Sequence, residues 1–130
     1  NKKESHDKRL LQIGMRLNEV INEWKPTELA IENLFFNQNT SSALKVAEAR
    51  GVIMFQAALA ELSIFEYSPQ AIKIAVTGYG KADKAAVETM VRKLIKFPVL
   101  DGKKNKVKTL DDEIDSIAVG ITHLATRKAI

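Results

Sequence analysis

The feature that most constrains this chain is a short apolar run, Leu29, Ala30 and Ile31, set between Pro26 and a Thr40-Ser41-Ser42 cluster. A run of that length without alternation reads as a strand buried on both faces. A buried strand with helices before and after it belongs in an α/β fold, with helices packed on a sheet. Glu32 closes the run, and a carboxylate at the end of a central strand lies at the sheet edge where such folds place ligands. Two readings of Glu32 are open at this point: a site carboxylate, or a solvated strand-end acid paired with a lysine. Two aromatics, Phe35 and Phe36, follow directly and are candidates to cover the sheet edge.

The surrounding pattern supplies the helices. Leu10, Ile13, Leu17, Val20, Ile21 and Trp24 recur at spacings of three and four among charged residues. That spacing predicts an amphipathic helix from about Ser5 to Trp24, ended by Pro26. Thr40, Ser41 and Ser42 are candidate N-caps for a second helix running to about Ala60. Its apolar residues, among them Leu44, Val52, Phe55 and Leu59, cover more than one face and predict a mostly buried helix. Ala47, Gly51 and Ala58 are small enough for a close approach. Ser63–Tyr67 (SIFEY) reads as a second strand. SPQAIKIAVTG reads as a short helix capped by Ser68 with Pro69 in the first helical position, and Gly78 and Gly80 make a turn around Tyr79. Val87, Met90, Val91, Leu94 and Ile95 define a third long helix whose other face carries Lys84, Arg92, Lys93 and Lys96, with Pro98 as its stop. DGKKNKVK, Asp101–Lys108, reads as a basic connector, and a last helix starts at Thr109.

At 130 residues the chain is expected to form one domain with a core that needs no disulfide. The formal net charge of +4 permits a polyanionic partner without requiring one. The absence of cysteine excludes disulfide staples, thiolate zinc sites and a cysteine nucleophile, leaving His6 and His123 as the nitrogen ligands. No apolar segment approaches the roughly 20 residues that cross a bilayer, and NKKESHDKR lacks the apolar core of a signal peptide. A cytoplasmic protein without a membrane partner is expected.

Asp111, Asp112, Glu113 and Asp115 fall in what reads as the first turn of the last helix, where capping and the macrodipole account for at least two of them. Asp112 and Asp115, three apart, lie about 60° around a helix and about 4.5 Å along it, close enough to share one cation; Asp111 with Asp115 would also serve. With Glu32 they supply three carboxylates, an all-oxygen set suited to Mg²⁺ or Mn²⁺ and so to phosphoryl chemistry. His123 is about 16 Å along the axis from Asp112, too far for the same ion, and reads as a core or helix-face histidine.

Taken in order, AIENLFF, SSALKVAEARGV, FEYSPQAIKIAVTGYGKADK and DDEIDSIAVGITH resemble the RuvC family of bacterial Holliday-junction resolvases over nearly the whole chain. The resemblance implies a ribonuclease-H-like (RuvC-type) α/β fold and a homodimer. It also implies Mg²⁺- or Mn²⁺-dependent paired, symmetric nicking of four-way junction DNA, and cooperation with a branch-migration complex of the RuvA and RuvB type. By matched position it selects Glu32, Asp112 and Asp115 as catalytic metal ligands, Phe35 as the aromatic against junction bases, and Lys73 and Lys84 as basic residues near the cleft. It gives His123 no role. The family pattern begins with a strand bearing a first aspartate, then a hairpin. This chain starts after that region, and His6 and Asp7 do not replace it. The expectation is therefore a single nuclease domain over residues 1–130, N-terminally truncated and inactive as it stands, with a noncatalytic DNA-binding or dimerisation module as the alternative.

Overall fold

The structure, a computed structural model, describes residues 4–33, 41–96 and 107–127. Helix and strand follow in the order α1 (His6–Trp24), β1 (Glu28–Glu32), α2 (Ser41–Leu59), β2 (Ser63–Tyr67), α3 (Pro69–Thr77), α4 (Lys84–Leu94) and α5 (Val107–Thr126).

Local chemistry sets most of the boundaries. α1 ends because Lys25 turns into the left-handed region at φ 47° while its N–H still reaches the Ile21 carbonyl, and Pro26 prevents continuation. α2 ends in a paired closure in which Leu62 N–H bonds the Ala57 carbonyl and Glu61 N–H the Ala58 carbonyl, with Glu61 at φ 61°. The Ser68 hydroxyl accepts the Ala71 N–H at the start of α3, where Pro69 needs no donor partner, and Gly78 at φ 79° closes that helix. Asp83 caps α4 by accepting the Ala86 N–H at 2.8 Å.

Among the described residues the sheet has two strands, β1 beside β2. Ser63 N–H bonds the Thr27 carbonyl at one end and Asn33 N–H the Tyr67 carbonyl at the other. Those two bonds set Glu28 beside Ser63 and Glu32 beside Tyr67, so the strands are parallel. The expectation of a strand buried on both faces is corrected here: all five β1 positions are half-buried. In a two-stranded sheet each strand has a neighbour on one side only, although the lack of alternation was read correctly.

The chain separates into two compact units, Asn1–Leu29 with Phe35–Phe65 and Ala30–Leu34 with Glu66–Ile130, and among the described residues the divisions fall within β1 and β2. In the first, α1 packs on α2. A Cβ built on Gly14 would lie 3.2 Å from the Val52 side chain, so the missing side chain is what admits α2. Gly51 was expected to mark the close approach, yet nothing lies within 4 Å of a Cβ built there. The expectation of a mostly buried α2 also fails, since its only buried residues are Ala43 and Ala57 and Leu44, Val46, Phe55 and Leu59 are exposed. In the second unit α3 packs on α4 and α5 around Ile72, Val76, Val91, Ile114, Ala118 and Val119, with Ala30 and Tyr67 against that cluster.

The last helix begins at Val107, two residues before the expected start, and its first turn holds no acid. Asp111, Asp112, Glu113 and Asp115 thus lie in its second and third turns, where their charge no longer serves as an N-terminal cap. The DGKKNKVK connector is shortened accordingly, with Val107 and Lys108 helical and its remainder outside the described residues. No helix among the described residues is long and apolar enough to cross a membrane.

Candidate functional site

Four elements of the second unit converge on one cleft. β1 ends on Glu32, α3 brings Lys73, α4 opens with Lys84 and the third turn of α5 carries Asp115. These four side chains line a cleft of about 240 Å³ whose apolar wall is Pro69, Ile72, Val87 and Ala118. That wall is the outer side of the core, so the same packing that stabilises the unit removes water from one side of the carboxylates.

Lys84 Nζ is 3.7 Å from Asp115 Oδ2, with both side chains more than half exposed, at 66% and 51%. At that exposure the pair contributes at most about 1 kcal/mol to stability. A cation in the first turn of a helix also opposes the macrodipole, so helix stability does not explain Lys84. Glu32 is held above the ordinary carboxyl range, first by the loss of hydration against the cleft wall and then by the negative charge of Asp115. Glu32 and Asp115 are thus a pair of like charges lining one cleft, with Lys84 beside Asp115.

Such a pair suits a hard divalent cation. Mg²⁺ keeps several waters and takes one or two protein carboxylates together with substrate phosphate, so Glu32 and Asp115 are an adequate donor set for an open site. A closed site is a different matter, since among the described residues no three carboxylate or imidazole groups come close enough to form one. Asp112 lies three residues before Asp115 on α5, exposed to solvent and not among the residues lining the cleft. Phe35 lies outside the described residues.

Sequence reasoning left His123 without a task and did not single out Tyr67. The two meet in the second unit, with Tyr67 Oη 2.5 Å from His123 Nδ1. The available signal was a tyrosine closing a strand and a histidine on the apolar face of the last helix, each polar group in need of a partner once buried.

A parallel strand pair joined through a helix, with a carboxylate at the strand end and helices carrying a second carboxylate and two lysines, is an α/β arrangement, and the solved structures it matches give it the ribonuclease-H-like fold. The chain belongs to the RuvC family, whose model, described as crossover junction endodeoxyribonuclease RuvC, matches residues 1–123. It is 42% identical over 115 residues to the crossover junction endodeoxyribonuclease RuvC of Alkaliphilus metalliredigens, covering 88% of this chain and 66% of that protein. The corresponding figures for the Heliobacterium modesticaldum protein of the same name are 43% over 117 residues, 90% and 68%. The chain thus spans about two thirds of the length of these relatives. Among solved structures, Thermus thermophilus RuvC in complex with a Holliday junction substrate is 27% identical with a TM-score of 0.79, over 97% of this chain and 72% of that one. A second Thermus thermophilus RuvC structure gives a TM-score of 0.76 over 96% and 71%.

Proposed function

We propose that this chain carries the cutting centre of a metal-dependent endonuclease that resolves four-way DNA junctions by paired symmetric nicks. The observation that carries the reading is the convergence of Glu32 and Asp115 in one cleft with Lys73 and Lys84, in a chain of the RuvC family. Glu32 and Asp115 would hold Mg²⁺, or Mn²⁺ in its place. Asp112 would join them from the preceding turn of α5, its exposed side chain being free to swing toward Asp115. When bound, such a cation activates a water and stabilises the leaving oxygen of a phosphodiester.

The chain's own groups do the remaining work. Lys73 and Lys84 meet backbone phosphate at the cleft mouth, which fixes register without reading sequence. Lys84, 3.7 Å from Asp115 and exposed, would exchange that contact for a backbone phosphate, leaving the Asp115 carboxylate available to hold a cation. The apolar wall of Pro69, Ile72, Val87 and Ala118 limits water on one side, so that charge interactions in the cleft are screened less than at the surface. Phe35 would stack on an opened junction base. Paired nicks need two such centres related by symmetry, hence a homodimer, acting in the cytoplasm with a branch-migration complex of the RuvA and RuvB type.

The test is a labelled four-way junction incubated with the full-length protein and Mg²⁺. Symmetric nicks in opposite strands are expected, and Glu32→Gln or Asp115→Asn should lower the rate by more than about a hundredfold, beyond the loss typical of residues that only support a ligand. Near-normal cutting by either variant, or equal cutting of junction and linear duplex, would overturn the reading.

A further inference from the structure

Tyr67 and His123 take no part in the cleft chemistry, yet Tyr67 fastens both sides of it. Through its main-chain carbonyl it accepts the N–H of Asn33, the residue after Glu32, at 2.7 Å. Through its hydroxyl it bonds His123 Nδ1 at 2.5 Å, the two ring centroids lying 5.7 Å apart at 59°. His123 is 8% exposed and lies eight residues beyond Asp115 on α5. The strand end that presents Glu32 and the helix that presents Asp115 are therefore tied to one residue, itself packed against the core cluster.

Packing alone does not call for this arrangement. An apolar pair of the same volume would fill the space without a half-buried tyrosine hydroxyl set against a buried imidazole. A polar pair adds direction, because the bond forms in one orientation and one helix register. Strand ends fray when little holds them, and among the described residues the last ladder bond at this end of β1 is the one from Asn33 to Tyr67.

We propose that the Tyr67–His123 pair is a positioning link that sets the spacing of Glu32 and Asp115. The link is read from geometry, while its consequence for metal binding rests on the function proposed above. In either tautomer of the imidazole the bond joins the same two atoms. Tyr67→Phe keeps the ring and removes the bond. His123→Leu removes it from the other side, and His123→Asn keeps an amide that can bond the tyrosine near the position of Nδ1.

The experiment reads two quantities on the full-length protein without DNA: hydrogen exchange at the Asn33 amide and Mn²⁺ affinity by electron paramagnetic resonance. Tyr67→Phe and His123→Leu should each speed Asn33 exchange severalfold, as loss of one net hydrogen bond implies, by about 2- to 10-fold. Each should weaken Mn²⁺ binding by about tenfold, and the double variant should be no worse than either single one. His123→Asn should restore both readings. Parent-like Asn33 exchange in both single variants would overturn the link, as would uniform acceleration across the unit, which marks general destabilisation, or failure of His123→Asn to rescue. If the unsubstituted protein binds no Mn²⁺, the metal-centre reading fails while the exchange measurements still decide the link.

Discussion

The α1–α2 pair and the α3–α5 unit contain similar apolar residues and bury them differently. In the first, the buried residues are Gly14, Ile21, Ala43 and Ala57, while Leu11, Met15, Trp24, Leu44, Phe55 and Leu59 are exposed. In the second, Ile72, Val76, Val91, Ile114, Ala118 and Val119 form one cluster with Thr122 and His123 buried beside them, although Ile74, Tyr79 and Leu124 remain exposed. Hydrophobic stabilisation follows apolar area removed from water, so the second unit is the one stabilised by its own contacts. The difference teaches where a charged site can be built. Holding Glu32 and Asp115 together against like-charge repulsion requires a frame whose packing outweighs that repulsion, and the cleft stands on the well-packed unit.

The sharpest way to break this comparison is to cut equally into both units. Ile114, 2% exposed, lies in the core cluster, and Ile114→Ala should cost about 2–5 kcal/mol in denaturant unfolding. Phe55, 63% exposed, should cost no more than about 0.5 kcal/mol as Phe55→Ala. If Phe55→Ala matches Ile114→Ala, and the cost falls on dilution, the exposed face of α2 is covered by another chain in solution and the contrast belongs to the isolated chain alone.

Next in size is a glycine pair within the first unit. Gly51 is inside α2 with open space around its absent Cβ, so Gly51→Ala should stabilise by about 0.5–1 kcal/mol through helix propensity. Gly14→Ala brings the same propensity gain, but the new methyl lies 3.2 Å from Val52 Cγ1, and the gain should be largely cancelled. Thermal midpoints of the two variants read the difference. Equal gains would show that the α1–α2 contact is loose enough to accept a methyl group.

Much of this was legible in sequence. Signals that act within a few residues were read well: SIFEY is β2, Ser68 and Pro69 open α3, and Pro26 follows α1. The placement of Glu32 at a strand end was legible for the same reason. What failed depends on contacts between distant residues. Apolar residues all round α2 predict burial only if something covers them, and composition cannot say whether anything does. Gly51 and Gly14 look alike in sequence, and only the packing of Val52 on α1 distinguishes them. The capping role expected for at least two of the α5 acids fails because no local signal marks a helix start at Val107. Lys84 beside Asp115 and Tyr67 beside His123 join residues 31 and 56 positions apart, 84 to 115 and 67 to 123, which no periodicity connects.

Lys84→Ala sharpens the comparison at the cleft itself. Stability should change by less than about 1 kcal/mol, because the Asp115 contact is 3.7 Å long and exposed. Junction and duplex DNA should both bind more weakly, and the slope of log affinity against log salt should fall by about one, the signature of one lost phosphate contact. An unchanged salt slope, measured by fluorescence anisotropy across a salt series, would remove Lys84 from the phosphate contacts.

The smallest expected effect concerns Glu32 and the metal-free protein. Its carboxyl is raised from the ordinary 4.5 by desolvation and then by Asp115, so over the window just above that value the folded state holds a proton that the unfolded chain has released. The folded state then binds more protons, and stability must fall as pH rises through the window; below it the contribution is fully present. Glu32 is half-buried, so solvent screening keeps the change small. Glu32→Gln carries no charge and should flatten this part of the profile, raising the thermal midpoint slightly above the window and leaving it unchanged below. Asp115→Asn should flatten it only in part, because burial, the larger cause, remains. On the proposed function, Mg²⁺ should stabilise the parent and not Glu32→Gln, so that adding it narrows or reverses the gap between them above the window. A stability profile that rises through the window, or one that Glu32→Gln leaves unaltered, would show that the carboxylate is as well hydrated as an ordinary surface acid and that the cleft wall does not desolvate it.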